Sequence, residues 1–182
     1  MKTLQFFVRG SVSVLTLLFG FFFNGCTTGE PAPAVDREGY RPVYLSREAL
    51  QTITSLPPQP LRVPGKLFTR DQFLFINEVG KGIHVLDNRD SRQPRKLGFV
   101  SIPGNVDLAV KGNFLYADNA TDLVVLDISL PTDVRVVRRI ANAFPAETFP
   151  SQLDVAFECV DPARGIVVGW EKARLTNPKC RR

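Results

Sequence analysis

Residues 122–129 read DLVVLDIS and residues 82–88 read GIHVLDN, two near copies within one chain of 182 residues. Extended outward, QFLFINEVGKGIHVLDNRDSRQPRKLGFVSIPG (72–104) and NFLYADNATDLVVLDISLPTDVRVVRRIANAFP (113–145) follow the same pattern at an offset of 40 to 41 residues. Phe73, Leu74 and Phe75 correspond to Phe114, Leu115 and Tyr116, and Leu86 and Asp87 correspond to Leu126 and Asp127. An extra residue in the first loop accounts for the change of offset. Self-similarity at this period marks a repeat architecture, in which each unit buries its apolar surface against the next.

Within each unit, short apolar, β-branched and aromatic runs are separated by Lys-Gly-Asn, Asn-Ala-Thr-Asp or proline-containing turns, the punctuation of strands and hairpins. The spacing predicts strands at 105–110, 113–118, 122–128 and 134–140 of the second unit. Four strands in so few residues make a small antiparallel sheet of the kind that forms a propeller blade. The uninterrupted runs LVVL and FLY fit strands covered on both faces. The chain therefore reads as all-β, with blade-like repeats at 64–102 and 103–142. Residues 143–182 form a partial third blade or a cap, from QLDVAF and RGIVVGW. Closed propellers need about four to eight blades, so the ring is expected to be incomplete, with an open blade edge available for self-association. Ahead of the repeats, LSREALQTI predicts a short helix N-capped by Ser46. Pro57, Pro58 and Pro60 then carry the chain into the first blade, so residues 45–63 form the helix and lead-in.

LVVLD at 123–127, followed by ISLP, resembles the signature of the LVIVD-repeat family of bacterial exported proteins. IHVLD at 83–87 is a weaker copy, in which His84 and Asn88 depart from the pattern. The stretches PQPLRVPGKLF, FINEVGKGIHVLDN and PGNVDLAVKGNFLYAD also resemble lipoprotein members of that family, so the similarity spans roughly residues 40–180. The resemblance implies propeller blades and a short or truncated member. It implies no particular activity.

The opening MKTLQFFVRGSVSVLTLLFGFFFNGC has a basic start and an apolar run too short to span a bilayer, the pattern of an export signal over residues 1–25. Gly25-Cys26 resembles the end of a bacterial lipobox, which makes Cys26 the candidate for lipid attachment. Residues 26–44 then read as a flexible Gly, Pro and Ala-rich tether. Several acyl chains suffice for stable anchoring, so the expected location is the cell envelope, most simply the outer membrane. In that oxidising setting Cys159 and Cys180 are candidates for a disulfide.

The net charge of +5 is too small to argue for nucleic acid. Asp87 and Asp127 occupy the same position of two units, so they are expected to lie apart and to accept backbone N–H groups in the following turn. Asp107, Asp118 and Asp122 lack the spacing and glycine of a calcium loop, and no metal or other cofactor is expected. His84 replaces the Val124 position and reads as a buried histidine with a backbone partner. Arg89, Arg92, Arg95 and Lys96 crowd one loop, and Arg135, Arg138 and Arg139 one strand. Solvated charge is the plain reading of these, and binding of anionic glycans or lipid headgroups the sharper one. Trp170 reads as packing. The expectation is a lipid-anchored, non-enzymatic binding or scaffold protein with a protein or glycan ligand. The alternative is an enzyme or glycan-processing accessory with its site at the propeller mouth.

Overall fold

Strand propensity and turn chemistry act locally, and in the computed structural model, which describes residues 35–182, they place the repeat strands close to where the spacing puts them. The export signal, Cys26 and the first part of the expected tether lie outside the described residues. The chain runs β1 (Asp36–Leu45), α1 (Arg47–Gln51), β2 (Thr54–Leu56), β3 (Pro64–Arg70), β4 (Phe73–Glu78), β5 (Gly82–Asp87) and β6 (Arg95–Ser101). It continues through β7 (Leu108–Lys111), β8 (Phe114–Asn119), β9 (Asp122–Asp127), β10 (Arg135–Ile140), β11 (Ala156–Phe157), β12 (Ile166–Thr176) and β13 (Cys180–Arg181). No helix among the described residues is long and apolar enough to cross a membrane.

Among the described residues the strands form three sheets, two of them antiparallel meanders, and no closed ring. Blade 1 has the order β2-β6-β5-β4-β3 and blade 2 the order β10-β9-β8-β7. Because residues paired across antiparallel strands share a face, each face can be read from the register. Phe75 opposes Val85, and Ile83 opposes Val100. Leu108 and Val124 oppose Ala117, and Leu126 opposes Leu115. These two sets meet in one buried cluster, joined by Ile102 and Ile128. Each fully buried aliphatic or aromatic side chain there contributes about 1.5 to 3 kcal/mol of hydrophobic stabilisation.

The proline-rich lead-in does more than connect. β2 pairs with β6 and covers the outer edge of blade 1. Beyond it, residues 57–63 cross the face of blade 1 turned away from blade 2, the face of Ile76, Glu78, His84, Leu86 and Phe99. α1 is one short helix, with the Ser46 hydroxyl accepting the Ala49 N–H.

The end of the expected tether is corrected: residues 36–45 form a strand. β1 pairs with β12 from Asp36↔Thr176 to Leu45↔Ile166, and with β11 at Tyr40↔Phe157. Its partners lie more than a hundred residues away, so charged residues and Pro42 in the local sequence read as linker. Pro42 opposes Trp170 in β12, while β1 meets β11 only at Tyr40, so the side of Pro42 lacking an N–H is not needed for pairing. The third sheet, of order β12-β1-β11-β13, is therefore not a third copy of the meander. A disulfide joins Cys159 and Cys180, with Cα atoms 5.3 Å apart, across the β11–β13 side of this sheet.

Candidate functional site

The aspartates singled out by the repeat are turn residues. Asp87 Oδ1 accepts the Arg89 N–H at 3.1 Å, and Asp127 Oδ1 accepts the Ser129 N–H at 2.8 Å. They sit at equivalent register positions, opposite Phe73 and Phe114. The guanidiniums of Arg89 and Arg95 also bond Asp87 and hold its carboxyl well below the usual carboxylate range. The loop cations that suggested a glycan patch are in part consumed here. Lys96 Nζ donates to the Gln59 carbonyl.

His84 is buried, as its place in an apolar strand implies, but its partner is a side chain and not the backbone. Its Nε2 lies 3.1 Å from Glu78 Oε2, and its Nδ1 has no partner, so Nε2 carries the proton. Glu78 accepts the backbone N–H groups of Arg62 and Val63 at 2.9 and 2.8 Å. Burial raises the Glu78 carboxyl, but these N–H groups and His84 outweigh it and leave the group below its ordinary value. The pair is a latch for the strap of residues 57–63, buried on both sides and closed to solvent.

Asp107, Asp118 and Asp122 do not converge. Asp122 is fully buried and accepts from Arg47 Nη1 of α1, Arg139 Nη1 and the Asn142 N–H at 2.9, 2.9 and 3.1 Å. Burial again opposes its ionisation and is outweighed by those donors. Arg139 also donates to Asn119 Oδ1, whereas Arg138, opposite Val125, lies exposed on the other face. Asp118 accepts the Val106 and Asp107 N–H groups and Asn105 Nδ2. Burial is the largest influence on Asp118 and lifts its carboxyl above the ordinary range.

Asn105 is the hub that the sequence reading missed. Fully buried in the linker between the blades, it donates to Asp118 at 2.7 Å and accepts from Asn77 Nδ2 at 2.6 Å. The signal for it was available: Ile102-Pro103-Gly104-Asn105 recurs, 42 residues on, as Phe144-Pro145-Ala146-Glu147. The backbone agrees, since Ile102 N–H bonds Lys81 O and Phe144 N–H bonds Thr121 O. The two linkers then diverge. Gly104 turns at φ +73°, with its N–H on Gly80 O, which swings Asn105 inward. Ala146, whose Cβ disfavours that region, has no positive φ, and Glu147 bonds Trp170 Nε1 at 3.0 Å instead. Trp170 is half-buried and packs edge-on against Phe157 at 5.5 Å, within the third sheet.

This divergence leaves the outer face of blade 2 open. Tyr116, Asp118, Leu123 and Val125 occupy the positions that Phe75, Asn77, Ile83 and Val85 hold on blade 1; among the described residues no further meander covers them, and of the four only Val125 is buried. A cleft of about 520 Å³ remains, floored by Ala109, Tyr116 and Leu123 and walled by Phe144 and Pro145. At its rim Lys66 pairs with Asp107 at 2.7 Å.

Residues 104–141, the whole of blade 2, match the family model described as the LVIVD repeat. The chain carries an LVIVD repeat. No curated protein and no solved structure matches it. Blade 1 lies outside the matched span. In it the LVIVD position held by Val124 is His84, which the strap latch requires to be polar. The LVIVD strand itself is β9, whose Val124 and Leu126 face blade 1 and whose terminal Asp127 makes the turn.

Proposed function

We propose that this chain is a lipid-anchored protein of the bacterial cell envelope, attached to the outer membrane through Cys26, and that its LVIVD blades serve as a non-enzymatic binding or scaffold surface. The observation that carries the surface role is the open outer face of blade 2. Phe114 and Ile140 are 42% and 43% exposed there, beside the half-buried Tyr116 and Leu123, on a sheet whose opposite face packs against blade 1. Large exposed apolar side chains gathered on one rigid sheet mark an interaction site. The acidic groups Glu78, Asp118 and Asp122 meanwhile hold the fold: Glu78 the strap, Asp118 the linker, Asp122 the α1 helix.

Growth with a radiolabelled lipid precursor tests the anchor. Label is expected in the wild-type chain and lost in Cys26→Ala; equal labelling of both overturns the anchoring. Hydroxyl-radical footprinting tests the surface. Phe114, Tyr116 and Ile140 are expected to be labelled less in intact envelopes than in the dilute purified chain. Equal labelling in the two settings overturns the surface role.

A further inference from the structure

The cleft on the outer face of blade 2 has a second, deeper compartment. Where the blade approaches β12, a recess of about 30 Å³ is lined by Asp118 and Glu147 and closed by Gly104, Val167 and Val168. Val106, Asp118, Ala120, Pro145 and Glu147 line both compartments, so the recess is the inner end of the cleft. The outer compartment, of about 520 Å³ over Ala109, Tyr116 and Leu123, lies in the size range of small-molecule sites. The recess has room only for one or two groups the size of a water molecule.

Charge selects what suits this inner end. Among the described residues Lys66 is the one cation lining either compartment, and it is spent on Asp107 at 2.7 Å. Two carboxylates remain on the recess, and both keep acceptor capacity. Asp118 Oδ1 takes the Val106 and Asp107 N–H groups and Asn105 Nδ2, whereas Oδ2 accepts only the Val106 N–H, at 3.2 Å. Glu147 accepts Trp170 Nε1 through Oε2, and its Oε1 has no hydrogen-bond partner among the described residues. The donors on Asp118 are neutral, and burial still lifts its carboxyl above the ordinary range, so its charge is compensated only in part. A cation beside it makes up the deficit.

The cationic group has to be compact, has to donate several hydrogen bonds and has to ride on an apolar body that covers Tyr116 and Leu123. A primary ammonium meets all three conditions, with its three N–H donors in a head of about water size. A trimethylated ammonium has no N–H to donate and is too bulky for the recess. An anionic ligand would meet two carboxylates. We infer that the cleft of blade 2 binds a small primary amine, its ammonium seated between Asp118 and Glu147 and its apolar body over Tyr116 and Leu123. This rests on the proposed binding role of the outer face and names the class of ligand.

Trp170, the only tryptophan in the chain, reports on the recess through its bond to Glu147. The test titrates 2-phenylethylammonium chloride into the purified full chain at low ionic strength, followed by tryptophan emission and by calorimetry. A saturable change is expected in both. Uncharged 2-phenylethanol and the trimethylated ammonium are each expected to bind about tenfold more weakly or worse, the scale of a charge-assisted hydrogen bond. Glu147→Gln keeps an oxygen for Trp170 Nε1 but removes the charge, and Ala109→Phe fills the outer compartment from an exposed position. Each is expected to weaken amine binding by a similar factor with an unchanged far-ultraviolet circular dichroism spectrum. An amine that gives no saturable change, an alcohol or trimethylated analogue that binds as tightly, or folded variants that bind undiminished overturn the inference. If the amine does not bind while Phe114, Tyr116 and Ile140 are protected in intact envelopes, the binding role of the face stands and the amine reading alone falls.

Discussion

Polar residues inside this protein act by holding backbone, and Glu78 shows the pattern most clearly. A carboxylate in an apolar strand would ordinarily cost several kcal/mol. Here two strap N–H groups and His84 Nε2 take up its oxygens. Glu78→Gln keeps the shape but gives the strap one oxygen acceptor in place of two charged ones. We expect it to lower the unfolding free energy by about 2 kcal/mol, the scale of a charge-assisted bond lost from a buried pair, measured by urea denaturation at neutral pH. The folded Glu78 carboxyl lies below its ordinary value, so its contribution is complete above the usual glutamate range and disappears as pH falls through the folded value. The stability gap between wild type and variant should therefore narrow in acid; a gap independent of pH would show that Glu78 is not ionised in the fold. Neither Glu78 nor Asn105 was legible as a structural residue. Each is a polar side chain satisfied by a segment distant in the chain or in another blade, and local pattern carries no record of its partners. The Asp87 and Asp127 turns were legible, because an aspartate bonding the N–H two residues on is a local event.

At the level of elements, strands β7 to β10 fall within about three residues of their expected positions, since period-two patterning and turn chemistry act over the same short range as the hairpins they make. β1 was not legible, because all its pairing comes from β11 and β12. Its closest approach is at Gly39, where a Cβ would strike the Ala156 carbonyl oxygen. Gly39→Val is expected to detach β1 from β11, exposing the Cys159–Cys180 region to fast amide exchange while leaving the blades protected. Reduction of the disulfide, whose cysteines are 21 residues apart in sequence, should loosen the same sheet, at a cost of about 3 kcal/mol on the chain-entropy model. Exchange that quickens equally in blades and third sheet would contradict this division.

Across the molecule, stability is concentrated where the two blades meet. The buried cluster of β4, β5, β8 and β9, with Ile102 in the linker, has no counterpart in the third sheet, where Val167 and Leu175 are among the few buried aliphatics. Native-state hydrogen exchange is expected to be slowest for β5 and β9 and fastest for β12 and β13, with a separation of several kcal/mol in opening free energy. A uniform opening energy would mean that the three sheets unfold as one. The repeat made the interface between the blades legible in advance. It left the third sheet obscure, because β1, β11, β12 and β13 lie outside the repeat and pair over long sequence separations.

β1 also sets a leash length. If Cys26 is acylated as proposed, nine residues would separate the lipid from Asp36, the first strand residue, and at about 3.5 Å per residue their reach could not exceed about 30 Å. That is little more than the width of a small domain. The blades would thus ride low over the bilayer with restricted tumbling, and the open face of blade 2 would meet partners in the same leaflet under near-planar confinement, at a raised effective concentration.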